Sequence, residues 1–366
     1  MNKTHQLQNY LQQNKISAAF ITNPDNVFYI TGFRSNPHER LFGVMLFADA
    51  DPFVICPKME VPDVEASGWQ FGAIGHEDTE DAMDILQQAA ESRQASLTAL
   101  AVEKTHLTVS RQEALSGIFP DAAFHSIDDQ LNAMRVIKDS REIELLAAAA
   151  ELADYAIEIG CDTLKEGITE LEVLSEIELA LKKRGVSHMS FDTMVLFGDK
   201  TASPHGKPGN RKLRKGDFVL FDLGVIWEGY CSDITRTVAF GTPSDEQRAI
   251  YDTVLRAELA SVEAAKAGIT AAELDRTARQ VIEDAGYGDY FTHRLGHGLG
   301  ISVHEYPSLH GANDLPLTAG MAFTVEPGIY VPGVAGVRIE DDLVLTEDGV
   351  TILTQFPKDL QILGEN

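Results

Sequence analysis

The sequence predicts a two-domain fold, in which an α/β domain over residues 1–132 precedes an α+β domain over residues 133–366. Three observations predict it. Strand-like and helix-like segments alternate in the first part of the chain, and the order helix–helix–strand–strand occurs twice in the second part. A chain of 366 residues is also longer than most single domains. We therefore expect a duplicated ααββ half after an N-terminal α/β half.

The alternation in residues 1–132 follows from local composition. The segments AAFITN, GVMLFADADPFVICP and SLTALAVEK are rich in apolar and β-branched residues and predict strands. The segment DTEDAMDILQQAAESR has apolar residues at helical spacing and predicts a helix. No cluster of histidines, cysteines or acids in this part of the sequence indicates a chemical function.

The predicted domain boundary lies at the start of the segment AMRVIKDSRE, residues 133–142. Asp139 or Ser140 has a side chain that can accept a hydrogen bond from the first turn of the long helix that follows, REIELLAAAAELADYAIEIG. A new run of helices therefore begins here.

Two units with the same order of elements follow the boundary. The first has predicted helices at about 140–160 and 169–184 and a hairpin at 217–241, and the second has helices at about 244–266 and 270–285 and a hairpin at 321–346. Each hairpin begins after a small turn, at Lys215-Gly216-Asp217 and at Ala319-Gly320-Met321. Two such units that face each other bring both hairpins to one centre.

Each hairpin carries two acids within apolar, β-prone sequence: Asp222, Asp233, Glu326 and Glu340. A buried carboxylate is unfavourable unless another group compensates its charge. The first two acids are 11 residues apart around a predicted turn at Trp227-Glu228-Gly229, and the other two are 14 apart around Pro332-Gly333. We therefore expect each pair nearly opposite one another, with Cβ atoms about 4.5–5.5 Å apart. Four negative charges balance two divalent cations, which predicts a two-metal hydrolytic site.

The segment HRLGHGLGISVHEYP contains three histidines within 12 residues: His293, His297 and His304. Its glycines allow the backbone to approach a site closely. We expect one imidazole to bind metal and another to contact substrate. Oxygen-rich ligation with one imidazole suits Mn²⁺, which is our first choice, or Co²⁺, Zn²⁺ or Fe²⁺, and it does not match structural zinc.

Two further residues are candidates for the same site. His205 lies in SPHGKPG, a loop rich in glycine and proline. Arg338 is two residues before Glu340, so its side chain projects to the same face of the strand. We expect its guanidinium to orient the carboxylates.

Composition limits the class of protein. The net charge of −26 makes the backbone of nucleic acids and anionic membranes unfavourable partners. No run approaches the ~20 apolar residues of a membrane span, and the start, MNKTHQLQNYLQQNKI, has no apolar core of a signal peptide. The three cysteines, Cys56, Cys161 and Cys231, are widely separated and suit a reducing compartment. We therefore expect a cytoplasmic protein.

The acids and histidines resemble the site of the pita-bread metallopeptidases, which include methionine aminopeptidase, aminopeptidase P and prolidase. The resemblance covers about residues 135–360 through SPHG, FDLGVIWEGYCSDITRT, HRLGHGLGISVHEYPSL, VEPGIYVPG and GVRIEDD. The N-terminal half, with NPDNVFYITGF, resembles the creatinase-type domain of the proline-specific branch. Within this branch, VHEYPSL followed by VEPGIYVPG looks most like the bacterial Xaa-Pro dipeptidases, with aminopeptidase P next.

The resemblance implies a dinuclear centre with the ligands Asp222, Asp233, His297, Glu326 and Glu340. It implies catalytic roles for Glu326 as proton shuttle, for His304 beside the oxyanion, and for His205 and Arg338. The residues expected to bind substrate are His205, His293 and His304. The expected substrate is a small peptide with proline, cleaved at its Xaa-Pro bond, and the expected assembly is a homodimer.

Three alternatives remain open. Aminopeptidase P removes the residue before proline from longer peptides, and Ser308 stands where some prolidases have an arginine that binds the dipeptide carboxylate. A related hydrolase acting on another C–N bond has the same fold. A non-catalytic binding module is a remote third reading, because such relatives typically lose metal ligands that this chain has.

Overall fold

A computed structural model describes residues 3–94 and 96–364, so residue 95 and the outer ends of the two predicted domains, residues 1–2 and 365–366, lie outside the description. The chain divides into two units, Met1–Met134 and Arg135–Asn366. The division between these units falls two residues after the predicted domain boundary.

The first unit is built on a mixed β-sheet whose strands alternate with helices along the chain. Its strands are β1 (Ala18–Ile21), β2 (Gly43–Phe47), β3 (Phe53–Pro57), β4 (Gly72–His76), β5 (Ala99–Val102) and β6 (Ala123–Ser126). Its helices are α1 (Lys3–Gln13), α2 (Pro24–Thr31), α3 (Val61–Ala66), α4 (Ala82–Glu91), α5 (Val109–Ile118) and α6 (Asp128–Val136), the last of which runs across the division. The strands lie in the order β4-β3-β2-β1-β5-β6. The predicted strands and helix are confirmed.

The second unit contains the two predicted ααββ repeats. Its helices are α7 (Ser140–Thr163), α8 (Glu170–Lys183), α9 (Asp245–Ala264) and α10 (Ala271–Asp284). Its strands are β7 (His188–Met189), β8 (Met194–Phe197), β9 (Asp217–Leu223), β10 (Val225–Trp227), β11 (Tyr230–Cys231), β12 (Ile234–Phe240), β13 (Gly296–Gly298), β14 (Glu305–Leu309), β15 (Ala322–Val325), β16 (Gly328–Val331), β17 (Ala335–Arg338), β18 (Asp341–Leu345), β19 (Val350–Ile352) and β20 (Ile362–Leu363). The predicted pairs of helices and both hairpins are confirmed.

Each of α7, α8, α9 and α10 begins with a capping box, in which the N-cap side chain and the residue three positions later bond to one another's backbone N–H. The pairs are Asp139 with Glu142, Thr169 with Glu172, Ser244 with Gln247, and Thr270 with Glu273. These motifs are readable in the sequence, which explains why the helix starts agree so closely with the predicted ones.

The repeats share backbone contacts as well as element order. The N–H of Gly167 donates to the carbonyl of Leu213 at 2.9 Å, and the N–H of Gly268 donates to the carbonyl of Leu317 at 2.8 Å. In both cases the loop before the second helix of a repeat is tied to the segment that leads into the hairpin. The duplication is therefore structural and not only a coincidence of element order.

The hairpins of the two repeats meet at the segments that carry the acids. Strand β9 pairs with β12, and β15 pairs with β18, both antiparallel. The backbone N–H of Glu340 donates to the carbonyl of Thr235 at 3.1 Å, and the N–H of Arg338 donates to the hydroxyl of Thr237 at 3.3 Å. These contacts place the second hairpin beside β12 and bring the acids of both repeats together.

Within residues 3–94 and 96–364, no helix combines the length and the apolar character that crossing a bilayer requires. The cytoplasmic location and the homodimer stay predictions.

Helix α7 packs so closely on β9 that one helical position has no room for a side chain. A Cβ atom on Gly160 would lie 2.7 Å from the ring of Phe221, whereas a Cβ on Gly117, in α5, would meet nothing within 4 Å. Alanine normally stabilises a helix interior by about 1 kcal/mol relative to glycine. We expect Gly117→Ala to stabilise the protein by up to that amount.

Gly160→Ala should instead destabilise it by about 1–2 kcal/mol, because overpacking outweighs the gain in helix propensity. Chemical denaturation of both variants, followed by circular dichroism, measures the two signs. A stabilised Gly160→Ala variant would contradict the close contact with Phe221.

Candidate metal centre

The first hairpin places Asp222 and Asp233 on one face, but not opposite one another. Thr235 is the residue paired with Asp222 across the β9–β12 ladder, so Asp233 is its diagonal neighbour. The prediction of nearly opposite residues is therefore wrong by two positions. The reason is the turn. Trp227 pairs with Tyr230, so the turn consists of only two residues, Glu228 and Gly229, and both have positive φ.

The second hairpin places Glu326 and Glu340 opposite each other, as predicted. The ladder on one side pairs Val325 with Asp341, and the ladder on the other side pairs Gly328 with Arg338. Both registers align Glu326 with Glu340. The first turn is centred one residue beyond the midpoint of its two acids, which moves the partner of Asp222 by two positions, whereas the second turn is centred on the midpoint of its acids.

His297 lies on β13 with its imidazole facing these acids. Its Nδ1 is 3.1 Å from the carbonyl oxygen of Gly298, which can only accept a hydrogen bond, so Nδ1 carries the proton. Its Nε2 is 3.6 Å from an oxygen of Asp233 and 3.4 Å from an oxygen of Glu326. A second ring nitrogen held by a carbonyl is the usual arrangement of a metal-binding histidine.

Asp233, His297 and Glu340 form a buried group whose ligand atoms all lie within 4.8 Å of one another, close enough to hold one metal ion. Asp222 and Glu326 line the same cavity, which has a volume of about 640 Å³. All the residues predicted as ligands thus face one space. Their individual roles stay predictions.

The pKa values of these acids show that Arg338, the cation beside them, does not fully compensate their charge. Burial, followed by the charges of Glu340 and Asp222, raises the pKa of Asp233 well above its usual range. Burial together with the charge of Glu326 does the same to the pKa of Glu340. Burial raises the pKa of Glu326 to about 7, although Arg338 opposes this.

This donor set fits divalent cations. Carboxylate oxygens with one neutral imidazole are ligands for Mn²⁺ and similar ions. Burial, followed by the neighbouring His304, lowers the pKa of His297 to about 3, so its imidazole is neutral and can donate its Nε2 lone pair. Cations would remove the repulsion that keeps protons on the acids.

Arg338 contacts the acids as expected from its strand face. Its guanidinium donates to Asp222, to the hydroxyl of Tyr330 at 2.7 Å and to the hydroxyl of Thr235 at 2.9 Å. Thr235 in turn donates to Glu340 at 2.6 Å. The buried guanidinium of Arg338 thus positions acids of both hairpins.

His293 lines the cavity, but both of its ring nitrogens have partners within the protein. Nδ1 is 2.7 Å from the carbonyl of Arg294 and therefore carries the proton, and Nε2 is 2.8 Å from the hydroxyl of Tyr330. Burial, followed by the charge of Arg338, lowers the pKa of His293 to about 4. The neutral ring therefore fixes the direction of the Tyr330 hydroxyl.

His304 and His205 line the same cavity and have exposed side chains. The ring of His304 contacts that of His297 edge to face, with 4.2 Å between centroids. Although it is exposed on one side, the His304 imidazole is partly shielded from water, which lowers its pKa, and the charge of Arg294 adds to this. Both residues are placed where a bound molecule would meet them.

Sequence reasoning missed three residues of the site: Thr235, Arg294 and Tyr330. Each lies within a motif that was recognised for another residue, namely SDITRT, HRLGHG and VEPGIY. The signal for Thr235 and Tyr330 was strand alternation, because both are an even number of positions from an acid of the site. Arg294 lines the cavity and donates to the hydroxyl of Ser308 at 3.0 Å, a contact across β13 and β14 that local sequence does not indicate.

Metal-free protein should lose stability as the pH rises. Glu326 has a pKa of about 7 when folded against an ordinary value of 4.5. Between these values the unfolded chain releases a proton that the folded protein keeps, so the free energy of unfolding falls. Below about pH 6.5 the buried neutral histidines His293 and His297 have the opposite effect, so we expect the melting temperature of metal-stripped protein to fall between about pH 6.5 and about pH 7.5, and the stabilisation by added Mn²⁺ to grow over the same interval.

Calorimetry of stripped protein across that interval measures both trends. Glu326→Gln removes the ionisable group and should flatten the dependence. Stripped wild-type protein whose melting temperature rose steadily over the interval would contradict the expectation.

Comparison with known proteins adds family relationships to this geometry. A model of metallopeptidase family M24 matches residues 144–347, and a model of the creatinase/prolidase N-terminal domain matches residues 3–137. The chain is 54% identical over 363 residues to the "Putative dipeptidase YkvY" of Bacillus subtilis, with 99% of this chain and 100% of that protein covered.

Solved structures resemble the chain over nearly its whole length. The Xaa-Pro dipeptidase from Bacillus anthracis has a TM-score of 0.92 and 35% identity, with 99% of each chain covered. The X-Pro aminopeptidase from Thermotoga maritima has a TM-score of 0.86 and 34% identity, with 95% of this chain and 98% of that chain covered. The predicted creatinase-type α/β domain and pita-bread catalytic domain are confirmed. The chain therefore belongs to metallopeptidase family M24.

Proposed function

We propose that the chain is an Xaa-Pro dipeptidase that uses two divalent metal ions, with Mn²⁺ as the metal. The observation that carries this proposal is the convergence of four carboxylates and a neutral imidazole in one buried cavity. Membership of a metallopeptidase family supports hydrolysis, and the dipeptidase names of a close relative and of a similar solved structure support the substrate class.

The residues that would hold the two ions are Asp222, Asp233, His297, Glu326 and Glu340. When bound, such ions lower the pKa of water and polarise the scissile carbonyl. Arg338 and Thr235 keep Asp222 and Glu340 oriented by the hydrogen bonds described above.

Glu326 is the proposed proton shuttle. It lies between His297 and the hydroxyl of Thr324, which is 3.5 Å from its carboxyl oxygen, and faces the cavity. A carboxyl group in this place can take a proton from the attacking water and deliver it to the proline nitrogen as the bond breaks.

His304 and His205 are the proposed contacts to the peptide. A neutral imidazole at His304 offers one N–H to the oxygen of the scissile carbonyl, where negative charge develops. His205, on the loop at the cavity, holds the proline side of the substrate. His293 also lines the cavity, and because both of its nitrogens are already bonded, it would contact the peptide through its ring carbons.

The position of Arg294 favours a dipeptide over a longer peptide as the substrate. The resemblance places a carboxylate-binding arginine at the position of Ser308, and the structure has the guanidinium of Arg294 bonded to that serine and facing the cavity. Its remaining N–H groups can bind the free carboxylate of a dipeptide. An aminopeptidase P remains the second candidate, since a similar solved structure has that activity in its name and Ser308 itself has no charge.

The homodimer and the cytoplasmic location belong to the same proposal. Two-fold dimers are the commonest soluble assemblies. Light scattering of purified protein tests the assembly.

Activity should depend on bound metal. A chelator is expected to abolish hydrolysis of Ala-Pro, and Mn²⁺ or Co²⁺ to restore it. Asp222→Asn should lower kcat/KM by more than about 100-fold, because changing a proposed ligand has a larger effect than changing a residue that only orients one. Asp217→Asn, at the other end of β9, is the matched control and should keep its metal content. Undiminished turnover after chelation would exclude the proposal.

The choice between dipeptide and longer peptide depends on Arg294. We expect Ala-Pro to be cleaved faster than Ala-Pro-Ala. Arg294→Ala should raise KM for Ala-Pro by about 10–100-fold, the value of a charge-assisted hydrogen bond, and change KM for Ala-Pro-Ala little. Arg294→Lys should lie between. Preference for the tripeptide, unchanged by the substitution, would favour aminopeptidase P.

A further inference from the structure

A buried cluster of charges lies next to the acids of the cavity and has no part in the proposed mechanism. It consists of Arg236, Glu258, Asp341 and Lys358, which we call the rear cluster. The side chains of Glu258 and Asp341 are fully buried, that of Arg236 is 1% exposed and that of Lys358 is 19% exposed. Buried charges of this kind must be balanced by one another.

Strand alternation places the rear cluster behind the cavity. Successive side chains of a strand point to opposite faces. Thr235 and Glu340 face the cavity side, where their side chains bond to one another. The next residues, Arg236 and Asp341, therefore point to the opposite face, where they form their own ion pair at 2.7 Å.

Lys358 completes this ion pair from a different part of the chain. Its ammonium donates to one oxygen of Asp341 and, at 2.8 Å, to Glu258 on α9. The other oxygen of Asp341 accepts from Arg236 and, at 2.9 Å, from Thr354. Asp341 is thus fixed by two cations and a hydroxyl.

Arg236 connects Asp341 to the backbone of Glu340. Its guanidinium donates to the carbonyl of Glu340, to the carbonyl of Thr235 at 3.0 Å, and to the carbonyl of Phe356 at 2.8 and 3.0 Å. The carbonyl of Glu340 is therefore tied to β12 and to the segment that carries Lys358.

A parallel connection reaches Asp233. Its backbone N–H donates to Asp342 at 2.9 Å, and the backbone N–H of Asp342 donates to Thr354 at 3.2 Å. Thr354 also bonds to Asp341. Segment 353–358 thus contacts the residues that hold both Glu340 and Asp233, which are two members of the group close enough to bind a metal ion.

We propose that Lys358 is a positioning residue for the metal centre, and that its ammonium holds segment 340–342 at the spacing from β12 that metal binding requires. This inference rests on the proposed function. Without Lys358, one oxygen of Asp341 and one oxygen of Glu258 lose the ammonium that joins them.

The pKa of Glu258 reflects its contact with Lys358. Burial raises this pKa to about 8, the charge of Asp341 raises it further, and Lys358 opposes both effects. Removing the ammonium takes away a side-chain link from α9 to Asp341, so segment 340–342 is held less firmly.

Mn²⁺ titration of the metal-stripped, full-length protein by calorimetry tests the inference. Lys358→Met is expected to weaken Mn²⁺ binding by about 10–100-fold, as loss of a group that supports ligands typically does. Lys358→Arg should restore the affinity to within about threefold, because a guanidinium can replace the charge and the bonds. At saturating Mn²⁺, Lys358→Met should lower kcat and leave KM for Ala-Pro unchanged.

Arg211→Met is the matched control for lost stability. Arg211 forms a similar, partly buried ion pair with Asp217, about 17 Å along β9 from Asp222. The Arg211→Met variant should have a lower melting temperature and the wild-type affinity for Mn²⁺. Wild-type affinity in Lys358→Met, or equal weakening in Arg211→Met, would overturn the inference.

Thr354→Val provides a second route if Lys358→Met does not fold. It preserves shape and all charges and removes the hydroxyl that bonds to Asp341 and Asp342, so Mn²⁺ binding should weaken by about threefold to tenfold. Unchanged affinity in this variant would also overturn the inference. Wild-type protein that bound no Mn²⁺ would instead refute the proposed function, and the inference with it, so the two failures are distinguishable.

Discussion

Repulsion among buried carboxylates is the constraint around which the second unit is organised. Two hairpins bring four acids to one cavity, and without cations the pKa values of Asp233, Glu326 and Glu340 all lie above their usual range. A fold that tolerates this must hold each acid by other contacts. The repulsion among the carboxylates also explains why the site is suited to metal ions, because a bound cation neutralises the carboxylates directly.

The duplication supplies that support from both sides. Each repeat contributes one hairpin, and the hairpins are joined where Glu340 bonds through its backbone and its side chain to Thr235. Arg338 links the same threonine to Asp222 on the cavity face. Arg236, one residue further along β12, repeats the linkage on the opposite face. The acids are thus positioned by two layers of ionic contacts, one visible from the cavity and one hidden behind it.

The same preorganisation extends to the groups that would meet a peptide. Arg338 donates to Tyr330, whose hydroxyl therefore donates to the neutral ring of His293. The Tyr330 hydroxyl accepts from Arg338 and donates to His293, so its orientation is determined before any ligand binds. Arg294 is held by Ser308 and still presents its guanidinium to the cavity. Rigid placement of this kind reduces the conformational entropy lost on binding.

The sequence by itself determined the elements and most of the residues that converge on the cavity. Capping boxes and hydrophobic spacing specify the helices locally, and an acid in the middle of an apolar hairpin is informative because burying it alone is so unfavourable. Only the tertiary structure decided that Asp233 is diagonal to Asp222, because the backbone conformation of Glu228 and Gly229 sets the register. The contacts of Lys358 with Asp341 and of Arg294 with Ser308 also follow only from the tertiary structure. Such contacts depend on how whole strands and segments pack, and short-range sequence patterns do not specify that packing.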